Sequence, residues 1–253
     1  MSRNILLIVA SYIFYGWWDA RFLILVAIST AVDYLAALGA NGRPVRPVDC
    51  LKSTAFLSVV TIGALAAAQR DYWLIAPVLL GWIIAALWIH LARRASPERQ
   101  RPLWLWLSLV TNLGILGFFK YFNFFLGTFA SLLDLLGIHV DTPTLTIILP
   151  VGLSFYTFQA ISRTVDSYRG TFVPQYSIVN YAAYHAFFPQ LVAGPIERAR
   201  HLMPQFESVR PLDLSMIAQG ALLFMWGLYP KIVVADNLAP LADAPWICWS
   251  SKA

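Results

Sequence analysis

Nine apolar runs constrain this chain more than any other feature: residues 4–18, 22–38, 51–68, 72–91, 103–119, 122–138, 145–158, 179–192 and 217–235. With 59% hydrophobic and only 12% charged residues, the apolar excess is larger than a soluble core of this length can hide, whereas lipid accepts it on every outer face. An α-helix needs about 20 residues to cross the hydrocarbon. Several runs are shorter, so some segments are tilted, extended by aromatic flanks or re-entrant, and full crossings are fewer than runs. No run carries strand periodicity. The expected fold is all-α: a polytopic transmembrane helical bundle with broken or re-entrant helices, forming a single membrane domain over residues 1–253. The first run ends in GWWDARF rather than a small-residue cleavage site, which argues against a signal peptide.

Basic residues orient the bundle. Residues 39–52 hold Arg43, Arg46 and Lys52, and residues 93–102 hold Arg93, Arg94, Arg99 and Arg101, while the intervening loops carry Arg21 and Arg70 alone. By the positive-inside tendency the two richer loops face the cytoplasm, and Arg3 with them. The net charge of +5 is scattered through short connections and forms no polybasic block, so no nucleic-acid partner is expected. Lys120 separates two apolar runs by almost nothing, and either a tight hairpin or one kinked element fits there.

The segment FFPQLVAGP, residues 187–195, sets two prolines and a glycine inside a membrane-grade run. A backbone broken at that depth frees peptide groups that hydrocarbon cannot satisfy, so such breaks persist inside a bundle or beside a wet cavity. Pro150 and Gly152 make a second break. Between them, Tyr156, Gln159, Arg163 and Asp166 recur at helical spacing and share one stripe. The stripe lines a polar path, or its charged end closes locally through pairing of Asp166 with Arg163 and Arg169. Lys120, Asn123, Gly127, Ser131 and Asp134 make another stripe, fitting an interfacial amphipathic helix or a helix packed through its small residues.

His90 and His139 read as interfacial; His185, ahead of the FFPQ break, is the one histidine expected near a cavity. No carboxylate, serine or cysteine stands at a spacing that would orient it as a base. Cys50 and Cys248 make no CxxC pair, so no metal or redox centre is expected.

Four blocks in order, NILLIVASYIFYGWWDARFL, NLGILGFFKYFNFF, LPVGLSFYTFQAISRTVDSYRG and FFPQLVAGPIERARHLMPQF, resemble the membrane-bound O-acyltransferase family, in its bacterial branch typified by alginate O-acetylation. The resemblance runs from about Arg3 to Asn237. It implies a multi-pass enzyme of the bacterial inner (cytoplasmic) membrane that moves an acyl group from a cytoplasmic donor, acetyl-CoA or an acyl carrier, to hydroxyls of an extracytoplasmic polysaccharide such as alginate. No bound cofactor is implied. Implied partners are the lipid bilayer, polysaccharide-modification proteins, and a second polypeptide supplying the C-terminal half.

Family members are roughly twice as long and carry their presumed catalytic histidine in a Trp-His pair beyond the equivalent of Asn237; this sequence has no such pair, so no residue here inherits that role. The expectation is an N-terminal half that is inactive and poorly stable alone. Candidates for the tunnel wall and substrate path are Tyr156, Gln159, Pro189, Gln190, Gly194, Pro195 and Arg198. A transporter or flippase, and a non-catalytic scaffold of an envelope-polysaccharide assembly, are the alternatives.

Overall fold

The computed structural model describes residues 2–67, 86–92, 94–135, 150, 152–174, 177–193, 197–208 and 213–241. Every element among them is helical, and four helical stretches are long and apolar enough to cross a membrane: Phe22–Ala40, Pro47–Ala67, Glu98–Leu135 and Leu214–Leu241. The chain is a multi-pass, all-α membrane protein. It forms two compact units, Met1–Ser208 and Val209–Ala253.

The first unit is built around one helix. In order, it contains α1 (Ser2–Trp18), α2 (Phe22–Ala40), α3 (Pro47–Ala67), α4 (Pro97–Leu116), α5 (Phe122–Leu135), α6 (Leu153–Tyr168), α7 (Ile178–His185), α8 (Phe188–Ala193) and α9 (Ala199–Glu207). Helix α2 is apolar all round, which suits a helix with neighbours on every side. It packs against α3, α4 and α6, and also meets α1 and α7. Its residues Ala27, Ala31, Ala36, Ala37 and Ala40 are buried, and small side chains of this kind let membrane helices approach closely without a hydrophobic driving force. At Gly39 the approach is tightest, with the Trp104 ring of α4 lying where a β-carbon would stand. By contrast α3 and α4 bury one face and expose the other, as helices at the rim of a bundle do.

Residues 117–121 join α4 to α5 through one π turn, Gly117–Tyr121. The Lys120 junction is therefore a single modified helix rather than a hairpin. Spanning 38 residues, it is about 57 Å long at 1.5 Å per residue, nearly twice the hydrocarbon thickness. No residue of α5 is buried, so the packing of Gly127 and Ser131 into the bundle does not occur in this unit. The exposed Phe124, Phe125 and Phe129 leave the lipid-facing alternative standing.

Basic residues near the helix ends fasten them. Arg101 donates from Nε to the Ala40 carbonyl (3.1 Å) and from Nη2 to the Tyr168 carbonyl (2.6 Å), tying the C-termini of α2 and α6 to one point on α4. Asn41 Nδ2 reaches the Ser167 carbonyl at 3.0 Å, and Arg43 reaches the Pro174 carbonyl at 2.8 Å. Arg3 donates to the carbonyls of Gln205, Phe206 and Ser208 at the end of α9. Cationic donors at helix C-termini satisfy orphan carbonyls and complement the helix dipole. These bonds set the Tyr168 end of α6 at the same end of the unit as the arginine-bearing loops, the end that the positive-inside tendency puts in the cytoplasm. A cysteine at Gly170 is expected to react with a membrane-impermeant maleimide in inverted vesicles and not in intact cells; reaction in intact cells would reverse the assignment.

In the second unit the described residues are 213–241. Helix α10 (Leu214–Tyr229) starts at Asp213, whose Oδ1 accepts from the Ser215 amide at 2.9 Å. Pro230 lacks an amide, and the helix widens into the π turn Pro230–Ala235 at that residue. Asn237 Nδ2 then donates to the carbonyls of Ile232 and Val233.

Candidate functional site

Helices α6 and α7 lie side by side with polar side chains facing each other. On α6 the buried positions are Leu153, Tyr156, Thr157, Gln159, Ala160, Arg163, Thr164 and Ser167, which recur at three- and four-residue spacing. Helix α7 starts at Ser177, whose side chain accepts from the Asn180 amide, and buries Tyr181, Tyr184 and His185. The facing residues form a ladder. Arg163 stacks over the Tyr181 ring, with Cζ 3.8 Å from its centroid. The His185 ring lies nearly parallel to Tyr181 at 5.7 Å and meets Tyr156 edge-on at 5.7 Å. Counted along α6 from its Tyr168 end at 1.5 Å per residue, Arg163 lies about 8 Å in, Gln159 about 14 Å and Tyr156 about 18 Å.

Beside this ladder the FFPQ break takes a defined form. Helix α7 stops at His185, and α8 starts at Phe188 with Pro189 in its first turn. The Phe188 amide, which a continuous helix would direct to the Tyr184 carbonyl, turns to Ser11 Oγ on α1 at 3.4 Å. Gln159 Nε2 supplies the replacement, donating to the Tyr184 carbonyl at 3.4 Å and to Gln190 Oε1 at 3.4 Å. The structure therefore brings together Tyr156, Gln159 and Gln190. Pro189 is solvent- or lipid-exposed on α8, and Arg198 is exposed at the N-cap of α9. Gly194 and Pro195 lie outside the described residues, as do His139 and Cys248.

Of the two readings of the charged end, the local pairing of Arg163 with Asp166 does not form. Arg163 is fully buried, turned into the bundle away from its own helix surface, and Nε, Nη1 and Nη2 all lack hydrogen-bond partners. The hydroxyls of Tyr156, Tyr181, Thr157 and Ser167 and both ring nitrogens of His185 are likewise buried and unanswered. On α1 the same holds for the hydroxyls of Tyr12 and Tyr15. Each such group costs about 1–3 kcal/mol if left so. Buried polar atoms in native proteins find partners in protein, ordered water or ligand.

A second cluster, next to the ladder, was not recognised from sequence. Asp33 on α2 is fully buried and accepts from Ser29 Oγ at 3.0 Å, Ser108 Oγ at 2.5 Å, and Asn112 Nδ2 at 2.8 and 2.9 Å to its two oxygens. Ser108 Oγ also lies 3.1 Å from Thr164 Oγ1 on α6. The hub thus ties α2, α4 and α6 together, and in contrast to the ladder its side chains are answered. Two signals could have found it: Asp33 is the one charged residue in the run 22–38, and Ser108 and Asn112 are one helical turn apart.

No family model matches the chain, and no solved structure matches it. Curated proteins do. The chain is 34% identical to a probable alginate O-acetylase AlgI of Azotobacter vinelandii over 95% of its own length and 38% of that protein. It is 33% identical to a probable alginate O-acetylase AlgI of Pseudomonas aeruginosa over 95% of its length and 36% of that protein. A peptidoglycan O-acetyltransferase of Helicobacter pylori is 36% identical over 66% of the chain and 36% of that protein. The chain therefore spans well under half the length of these relatives. Along nearly its whole length the chain is similar to a part, rather over a third, of these alginate O-acetylases, in keeping with its resemblance to the membrane-bound O-acyltransferase family.

Proposed function

We propose that these residues form the N-terminal part of a bacterial inner-membrane O-acyltransferase, which moves an acetyl or similar acyl group from acetyl-CoA or an acyl carrier to hydroxyls of an extracytoplasmic polysaccharide such as alginate. The observation that carries this reading is the match to alginate O-acetylases along 95% of the chain, and the row of unanswered polar groups inside the bundle supports it. In the transfer, a base removes the acceptor hydroxyl's proton, the alkoxide oxygen attacks the acyl carbonyl, and the donor thiolate leaves. The base is supplied from outside these 253 residues, in the same polypeptide or in a second one. Tyr156, Gln159, Gln190 and Pro189 contribute to the wall of the substrate path, Gly194 and Pro195 shape its bend, and Arg198 stands near its mouth.

A chimera tests this directly. Residues 1–237 are joined to the remaining part of the Azotobacter vinelandii relative and expressed in an alginate producer lacking its own O-acetylase, and alginate acetylation is read by NMR. The chimera is expected to restore acetyl groups, and the 253-residue chain alone to give none. A membrane-inserted chimera that leaves alginate bare would refute the reading, as would acetylation by the chain alone. Substrate flux in vesicles without an acyl donor would instead favour a transporter. Within an active chimera, Gln159→Leu is expected to cut acetylation roughly tenfold, a loss of about 1.4 kcal/mol at the transition state, because it removes the donor that holds the α7–α8 break and Gln190 in place.

A further inference from the structure

We propose that the Arg163 end of the ladder binds one compact monovalent anion, a halide or a small carboxylate, that enters from the cytoplasmic side. A guanidinium keeps its charge in proteins and offers five N–H donors but no acceptor. Here it is fully buried with all three nitrogens unanswered. Neither of the two carboxylates near it in sequence or space accepts a hydrogen bond from it. Asp166, three residues along α6, is not paired with it, and Asp33, whose charge acts on Arg163 through space, has its oxygens engaged by Ser29, Ser108 and Asn112.

The surroundings point to an anion rather than a cation. The Tyr181 ring covers one face of the guanidinium at 3.8 Å, and the Phe172 ring lies 5.7 Å away, so the aromatic neighbours stabilise the cation without consuming its in-plane donors. The unanswered Tyr181 hydroxyl adds a further donor. Ser167, one turn nearer the cytoplasmic end, is also buried with its hydroxyl unanswered, which continues the polar line toward the surface. The guanidinium nitrogens can only donate, and an anion of chloride or acetate size would accept from them.

The test needs no acyl transfer, so its outcome is independent of the function proposed above. The 253-residue chain in detergent micelles is melted in sodium gluconate with increasing chloride or acetate at constant ionic strength. A ligand that binds only the folded state raises the melting temperature in a saturable way. Wild type is expected to show that rise with chloride, acetate or both, and the two arms tell halide from carboxylate. Arg163→Gln is expected to weaken the apparent affinity at least tenfold, with Arg163→Lys retaining part of it. Should the variants fail to fold, equilibrium binding of radiolabelled chloride or acetate to wild type decides. Absence of any saturable anion effect in wild type, or an equal effect in folded Arg163→Gln, would overturn the proposal and leave ordered water as the partner of these donors.

Discussion

Replacing Asp33 with alanine is expected to destabilise the first unit by about 3–5 kcal/mol, as removal of one partner from a buried charged cluster does. Three donors from two helices converge on this carboxylate: Ser29 beside it on α2, and Ser108 and Asn112 on α4. Alanine strands them all where neither water nor lipid can help. Asp33→Asn keeps the shape but sets an NH2 group against the Asn112 NH2, and about 1–3 kcal/mol is expected for the donor left unmet. The measurement is the melting temperature of the detergent-solubilised chain, followed by tryptophan fluorescence. A combined Asp33→Leu, Asn112→Leu variant is expected to recover part of the loss, since an apolar replacement of a whole polar cluster costs less than half of one. An Asp33→Ala protein that melts with wild type would show that the hub does not hold α2 and α4 together.

Gly39→Ala carries the second large effect. Its β-carbon would stand within the van der Waals envelope of the Trp104 ring, and Trp104 is itself buried in the core with Leu35, Leu38 and Ala40. Neither helix can yield freely, because Arg101 pins the end of α2 to α4 through the Ala40 carbonyl one residue away. Overpacking of this kind costs about 1–3 kcal/mol. Trp104→Leu, which opens the space, is expected to offset part of it in a double-mutant cycle, with a coupling of about 0.5–3 kcal/mol. Strict additivity of the two changes would mean that they do not meet.

The class of fold was readable because apolar composition over such lengths leaves lipid as the only fitting solvent. The stripe Tyr156, Gln159 and Arg163 was readable too, since helical spacing alone gathers those residues on one face. At its charged end two readings stayed open. Local spacing favours Asp166 for Arg163, yet the stack on Tyr181 comes from a different helix, and pairing between helices leaves no mark in sequence spacing. The Asp33 hub was missed for the same reason, its members being 75 and 79 residues apart for Ser108 and Asn112. The breaks at Gly152 and Phe187 announced themselves through glycine and proline. Their satisfaction did not, because Ser11 and Gln159 answer the second break from separate helices.

The central claim is that the α6–α7 ladder is a hydrated path entered from the cytoplasmic end, while the opposite face of α6 meets lipid. Cysteine accessibility tests it most directly. In a chain with Cys50 and Cys248 replaced by serine, single cysteines are placed at Ser167 and Tyr156 on the inner face, and at Phe155 and Phe158 on the outer face, where the native rings are exposed. A small charged methanethiosulfonate is then added to inverted vesicles. The expected result is modification at positions 167 and 156, faster at 167, with positions 155 and 158 at least tenfold slower, because charged reagents do not partition into hydrocarbon. Inert cysteines at 167 and 156, with 155 and 158 reacting freely, would contradict the account.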